Sequence, residues 1–345
     1  MRDVTVLITA AGNVFMPGTT ACLKKNGERN IRLIGADMND DATMLQMVDA
    51  FYPVPRGDDP QYVEVLLDIC RKEQVDVLLP IMSVELETLA KNSARFEEIG
   101  TKVSVSKPAQ LEIANDKLKL FQYLQSQGLP CAAFRSAATV PQLRDAVYEL
   151  GYPEKKVCVK ATDGSGSRGF RILSANTTKY DRFFHEKPSS SEISLEELCQ
   201  LLQEKANFPE LMVMQYLPGC EYTADLLAHD GRVLYNCCRK SLRMENSIML
   251  DSVVVSNPEV ERLCAQVVES LGLDGNVGFD IREDADGIPF ILECNPRITA
   301  GIPVFCHAGV NLPYLCIKKV LGEELPLCTL EYGKIVRRRW MEMAD

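Results

Sequence analysis

Three histidines, one tryptophan and no C-x-x-C pair in 345 residues remove several chemistries at once. His185, His229 and His307 are far apart in the chain, so neither zinc-ligand spacing nor a Ser–His–Asp or Cys–His constellation stands out. The thirteen cysteines are an odd number, and Cys158, Cys264, Cys294 and Cys316 lie in apolar runs, where a free thiol behaves as a small hydrophobe. Cys237-Cys238, if in a strand, would point to opposite faces. Positive charge is in deficit, with 38 Lys and Arg against 48 Asp and Glu and a net charge of −10. That balance excludes a general nucleic-acid binder, which needs a basic surface. No apolar run approaches the roughly 20 residues of a membrane span, and Met1-Arg-Asp-Val-Thr-Val-Leu-Ile8 reads as a buried strand and not as a targeting segment. A reducing, cytoplasmic setting is the expectation.

What the chain does have is a concentration of hard oxygen donors near its end. Asp280 closes the apolar run 277–281, Glu293 follows the run 288–292, and Asp284-Ala-Asp-Gly287 between them is turn chemistry, so the two runs form a hairpin with both carboxylates side by side. Two carboxylates and the amide of Asn295, with no His or Cys, favour Mg²⁺ over zinc; Mg²⁺ held this way completes its shell with substrate phosphates. Arg297 adds a fixed cation. An acidic edge hairpin with an Asn-Pro turn is the plain alternative.

A second segment weighs against that alternative. Val157-Cys-Val-Lys160 is strand-like and opens into Ala-Thr-Asp-Gly164-Ser165-Gly166-Ser167-Arg168-Gly169, after which strand character resumes at Phe170. Alternate glycines let backbone N–H groups converge on an anion, and the serines add hydroxyl donors. The loop lies between strands, unlike a Walker A loop or a dinucleotide fingerprint, which lead into a helix. It reads as a flap over phosphates.

Along the chain, 345 residues exceed a single core of about 100–150 and imply two or three packed units. Residues 1–108 alternate strands (4–9, 31–36, 75–79, 102–105) with helices near 18–26, 42–50, 60–73 and 83–95, the pattern of a parallel sheet. Ser106-Lys-Pro108 marks a boundary, with Asp116 as a helix cap. Residues of about 130–212 form a small lid, and strands and helices follow to 327. The segment 328–345, with Arg337-Arg-Arg-Trp340, reads as a solvated tail.

Lys117 within Asn-Asp-Lys, Val-Lys160 with its Gly/Ser loop, Gln215-Tyr-Leu-Pro-Gly-Cys-Glu221-Tyr-Thr-Ala-Asp225, Asp280 and Glu293-Cys-Asn-Pro-Arg297 occur in the order and spacing of the ATP-grasp superfamily. The chain resembles its carbamoyl-phosphate-synthase-like and carboxylate–amine ligase branch over roughly positions 1–325. The resemblance implies an α/β pre-ATP-grasp domain (1–108), a two-lobed α+β ATP-grasp domain (109–327) with its lid, and a tail. It implies that Lys117 and Lys160 approach the nucleotide phosphates, that Gly164, Ser165, Gly166 and Ser167 belong to the flap, and that Gln215, Tyr216 and Leu217 line the adenine pocket. Glu221 would accept the ribose hydroxyls, Asp280, Glu293 and Asn295 would hold Mg²⁺, with Mn²⁺ as a substitute, and Arg297 would face the transferred phosphoryl group. A basic residue near the end of the strand 232–238 would face it too; among Arg239, Lys240 and Arg243 the preference is for Arg243 with Lys240. Gln215 and Ala161 depart from the family's usual Glu and Pro.

The activity implied is ATP- and Mg²⁺-dependent activation of a small carboxylate as an acyl phosphate for attack by an amine or other nucleophile. Two alternatives stand beside it: phosphotransfer to bicarbonate or carbamate with a partner protein, and a non-catalytic nucleotide-binding protein. No nucleic-acid or membrane partner is expected, and a homodimer is left open.

Overall fold

Short apolar runs separated by amphipathic helices give the first third its shape, because strands covered on both faces must be apolar throughout. The computed structural model describes residues 2–39, 46–162, 169–175, 180, 183–184, 191–245 and 248–339. Strands β1 (Val4–Ile8), β2 (Ile31–Asp37), β3 (Ala50–Pro53), β4 (Val77–Leu79) and β5 (Lys102–Val103) lie parallel in the order β3-β2-β1-β4-β5. In β1 the side chains of Val6 and Ile8 enter one core and that of Leu7 the other. Helices α1 (Met16–Lys24), α2 (Tyr62–Glu73), α3 (Ser83–Lys91) and α4 (Ser93–Glu98) lie between the strands. The helix expected near 42–50 is not found at its described end: Ala50 opens β3, where Phe51 and Tyr52 prefer a pleated edge to a helix. Residues 40–45 lie outside the described residues.

After α5 (Pro108–Ala114) and α6 (Lys117–Ser126), which is capped by the Asp116 carboxylate accepting from the Lys119 N–H at 2.9 Å, comes a small mixed sheet. Its strands β6 (Phe134–Ala137), β7 (Val157–Ala161), β8 (Arg171–Leu173), β9 (Glu192–Ile193) and β10 (Leu211–Gln215) run in the order β6-β10-β7-β8-β9. Helices α7 (Val140–Glu149) and 195–202 cover one face.

The third sheet is antiparallel, with β11 (Glu221–His229), β12 (Arg232–Glu245), β13 (Ile248–Val255), β14 (Gly275–Glu283), β15 (Pro289–Asn295) and β16 (Ile335–Arg337) in the order β15-β14-β11-β12-β13-β16. The helix Pro258–Leu271 buries Val260, Leu263, Cys264, Val267, Val268 and Leu271, the spacing of one helical stripe, against one face of this sheet. Asn257 caps its start and Gly272, at φ 71°, ends it in the left-handed conformation. The other face packs through Leu227, Cys237 and Val254 on the core shared with the parallel sheet. Cys237 and Cys238 do point to opposite faces, one into each core. The expected tail is partly sheet, since β16 pairs with β13 in the register Asp251↔Arg337. No described helix is long and apolar enough to cross a membrane.

Candidate active site

The face of the antiparallel sheet that meets the parallel domain changes character along β11. Leu227 is in the core, but the next residues on the same face, Asp225, Thr223 and Glu221, are polar, while Leu226, Ala224 and Tyr222 stay apolar on the other face. Cross-strand register extends this polar patch into a row: Arg239 on β12 pairs with Thr223 on β11, Thr223 with Asp280 on β14, and Asp280 with Glu293 on β15. Laterally paired residues share a face, so the hairpin brings Asp280 and Glu293 together as expected. A bulge immediately after Asp280 in the β14–β15 ladder re-aims the strand there.

Asp280 receives long hydrogen bonds of 3.4 Å from Thr223 Oγ1 and from Asn295 Nδ2. Burial first, then the Glu293 and Glu221 charges, push its carboxyl up to about 7. Asp225 is fully buried; its Oδ1 accepts from Thr299 at 2.6 Å while, among the described residues, its Oδ2 has no partner. Burial raises its carboxyl, opposed most by Arg239. Arg239 is 5% exposed, its Nε is also unpartnered, and burial lowers it. A Cβ on Gly301 would lie 1.8 Å from the Arg239 Nη2, so only glycine permits this guanidinium. Gly278 is equally constrained, with Thr299 Cγ2 at 2.1 Å from the position of a Cβ.

Cations close the row at its other end. Lys117, at the first turn of α6, lies 3.5 Å from the Glu293 carboxylate. Lys160, on the cleft face of β7 opposite Met212, is drawn down by burial; Glu293, Lys117 and Asp280 are among the charges it feels. Arg297 donates to Asn295 Oδ1 at 2.9 Å and to Ser83 Oγ at 3.3 Å, so it ties the donor set to α3 of the parallel domain. Beside it, buried Glu85 accepts from Thr9 Oγ1 at 2.6 Å and from the Ile81 and Met82 N–H groups at 2.9 and 2.8 Å. Between the second and third sheets, Met212, Met214 and Ile172 of the second join Phe290 and Leu292 of the third in an apolar cluster that includes Leu217 and Tyr216. Glu221 is 3.8 Å from the Arg282 guanidinium, and Gln215 Oε1 is occupied by the Ala133 N–H at 3.1 Å. Gly164, Ser165, Gly166 and Ser167 lie outside the described residues.

Two expected residues fall elsewhere. Lys240 is one step out of phase with Arg239, so it points to the opposite face, with its ammonium 5.8 Å from the Tyr222 ring. Arg243 is exposed and paired with Glu245 at 3.0 Å beyond a register shift in β12. The basic residue that the structure puts on the acidic row is Arg239. Thr223 and Asp225 carry a sequence signal too, the polar alternation Glu221-x-Thr223-x-Asp225 within β11.

Among the described residues no three His, Cys, Asp or Glu side chains gather to hold a metal by themselves. Two carboxylates and one amide oxygen, one carboxyl raised by burial and then by its acidic neighbours, fit instead a Mg²⁺ ion that shares its shell with phosphates. Asp280, Glu293 and Asn295 are the residues that would hold it.

The fold is mixed α/β, with a parallel-sheet unit ahead of the antiparallel sheet that carries the donor set, and comparison with known proteins gives its domains. Residues 207–342 match the family described as "ATP-grasp in the biosynthetic pathway with Ter operon" and residues 6–104 match the "PylC-like, N-terminal domain". The chain carries an ATP-grasp domain behind a PylC-like amino-terminal domain. It is 24% identical over 279 residues to a carbamoyl phosphate synthase large chain of Rubrobacter xylanophilus, covering 77% of this chain but 24% of that protein. Its fold is similar to the biotin carboxylase domain of the Hydrogenobacter thermophilus 2-oxoglutarate carboxylase in complex with MgADP, ADP and bicarbonate, with a TM-score of 0.69, 19% identity, and 96% and 73% of the two chains covered. The N5-carboxyaminoimidazole synthetase of Staphylococcus aureus complexed with ADP gives a TM-score of 0.69 at 15% identity, covering 95% and 80%.

Proposed function

We propose that this protein is an ADP-forming ligase that activates a small carboxylate with ATP and passes the acyl group to an amine. The observation that carries the reading is the convergence of Lys117, Lys160, Arg239 and Arg297 on the Asp280, Glu293 and Asn295 donor set. Phosphoryl transfer asks for charge neutralisation and alignment, not for a protein nucleophile. A bound Mg²⁺ would neutralise charge on the phosphate oxygens.

In the reaction the substrate carboxylate oxygen attacks the γ-phosphorus of ATP, the bond from that phosphorus to its bridging oxygen breaks, and ADP leaves. The amine nitrogen then attacks the acyl carbon, inorganic phosphate departs, and the nitrogen loses a proton. Lys117 and Lys160 would align the phosphates from opposite walls of the cleft, the apolar cluster around Leu217 and Leu292 would hold the base, and Glu221 the ribose. Arg297 and Arg239 would stabilise the charge on the group in flight. Residues 1–108 would brace the site through Ser83, which accepts from Arg297, and the segment 130–212 would act as the lid. Thirteen free thiols are in keeping with a reducing cytoplasm.

The likeness to carbamoyl phosphate synthase sequences favours a second reading, phosphorylation of bicarbonate or carbamate. Release of ADP and phosphate from ATP against a panel of carboxylic acids, amines and bicarbonate tests both. Acid- and amine-dependent release, with ¹⁸O passing from a labelled carboxylate to phosphate, supports the ligase. Formation of AMP and pyrophosphate overturns it.

A further inference from the structure

Beyond the nucleotide and metal residues, the structure holds a cavity of about 380 Å³, inside the 300–1,000 Å³ typical of small-molecule sites. It lies between the loop after β1, the short helix Pro303–His307 and the edge formed by β13 and β16. Val14, Phe15, Leu250 and Val336 give it an apolar body. Its charged lining is of one sign: Arg337, Arg338 and Arg339 face it and, among the described residues, no carboxylate does, in a protein of net charge −10.

The three arginines are not equivalent. Arg339 is tied to Asp251 at 2.6 Å, and Arg337 is exposed. Arg338 is half-buried, its guanidinium lies 5.5 Å from the Phe15 ring centroid, and one nitrogen donates to the Ala300 carbonyl. Among the described residues no carboxylate lies within ion-pair reach of Arg338. The next residue along the turn, Gly301, is the one against which the Arg239 guanidinium rests. Arg338 is therefore separated from the acidic row by a single turn of backbone, and its guanidinium is lowered to about 10 by burial and by Arg239.

We infer that this cavity is the acceptor-acid site, that Arg338 grips a carboxylate there beside Arg239, and that the acid carries an apolar, uncharged body. This rests on the ligase reading for its purpose, though not for its chemistry. An all-cationic lining attracts an anion and repels an ammonium, so the amine partner has to arrive from elsewhere. Planar bidentate donation is what a half-buried guanidinium offers a carboxylate. The site thus reaches to β16, which adds itself to the sheet edge and places Arg338 immediately after its last residue.

The test uses the full chain saturated with MgADP and titrated calorimetrically with 4-methylpentanoate, 4-methylpentanamide and 4-methylpentylammonium. The acid should bind, the amide should bind about tenfold or more weakly, and the ammonium should not bind, as loss of a charge-assisted pair requires. Arg338→Met should weaken the acid by about tenfold to a hundredfold, Arg338→Lys should recover part of the loss, and MgADP affinity in both variants should stay within about twofold. Retained MgADP binding also reports that each variant is folded. The inference is overturned if none of the three compounds binds, if amide or ammonium binds as well as the acid, or if Arg338→Met leaves the acid unaffected. Failure of MgADP binding in the unaltered protein would instead sink the ligase reading, whatever the acid does.

Discussion

The two walls of the central cleft carry opposite electrostatic problems. On the antiparallel wall Asp225, Asp280 and Glu293 crowd together; burial raises Asp225, and burial with the Glu293 and Glu221 charges raises Asp280. On the mixed-sheet wall Lys160 of β7 has its ammonium 5.8 Å from the Phe170 ring centroid, and burial works against its charge. Each wall is unfavourable by itself, because a buried charge without a partner costs several kcal/mol, roughly. A polyphosphate carrying a divalent cation, as proposed for this site, would satisfy both, offering positive charge to the carboxylates and negative charge to the lysine. The contrast is between two half-sites whose charges compensate one another only in part, chiefly through the 3.5 Å contact of Lys117 with Glu293.

The largest break in that contrast should come from Arg239→Ala. It would leave Asp225, whose Oδ2 already lacks a partner, as an uncompensated buried carboxylate beside Asp280. Breaking such an arrangement from one side costs about 3–5 kcal/mol, so urea unfolding should shift strongly and turnover should vanish. The double variant Asp225→Asn with Arg239→Met should regain much of the stability but none of the activity. A single-variant loss below about 1 kcal/mol, the level of an exposed pair, would show that Arg239 does not hold the acidic row together.

Next in size is Glu293→Gln, which keeps the shape of the hairpin and removes one charge of the donor set together with the Lys117 pair. ADP release should fall about 10²–10³-fold, as for loss of one preorganised electrostatic group, with the circular dichroism spectrum unchanged. Unaltered Mg²⁺-dependent turnover in this variant would remove the metal assignment.

A smaller effect separates the acidic wall from the rest of the protein by pH. With Mg²⁺ chelated, the Asp280 carboxyl titrates near 7 in the folded state and near its ordinary value of 3.8 when unfolded. The folded state thus binds the extra proton, and its stabilising contribution is full below the unfolded value and lost as pH rises through about 7. Between pH 6 and 8 the protein should lose about 1.4 kcal/mol that Asp280→Asn does not lose, at 1.36 kcal/mol per unit. Parallel pH profiles of the two proteins by thermal unfolding would contradict the raised carboxyl. Adding Mg²⁺ should reverse the loss and release a proton.

The acidic wall was legible in the sequence where chemistry interrupts hydrophobicity. Asp280 and Glu293 break apolar runs on either side of a turn, so their pairing followed from hairpin geometry, and Asp116 preceded a helix as caps do. The parallel sheet was legible from alternation, apart from β3, where a short aromatic edge strand was read as the end of a helix. Arg239 was not legible, because choosing it over Lys240 and Arg243 depends on which face β12 shows at that point. That parity is fixed by pairing with Thr223 on another strand and is broken by the shift after Ser241. The role of Arg338 was hidden for a similar reason: a run of three arginines looks like a solvated end until pairing with β13 gives each a different environment.

The smallest predicted effects fall on the two basic residues that the antiparallel wall excludes. Lys240 shares the Tyr222 side of the sheet, and Arg243 forms an exposed pair with Glu245. Exposed pairs and single surface charges contribute within about 0.5 kcal/mol, so Lys240→Ala and Arg243→Ala should each keep kcat/KM within about twofold and leave unfolding nearly unchanged. Measured beside Arg239→Ala under the same conditions, they turn strand parity into a three-point experiment, with one residue of the 239–243 segment essential and its neighbours dispensable. Abolished ADP release in Arg243→Ala with a tolerant Arg239 would mean that nucleotide binding re-registers the end of β12, and the assignment of the phosphoryl-facing cation would pass to Arg243.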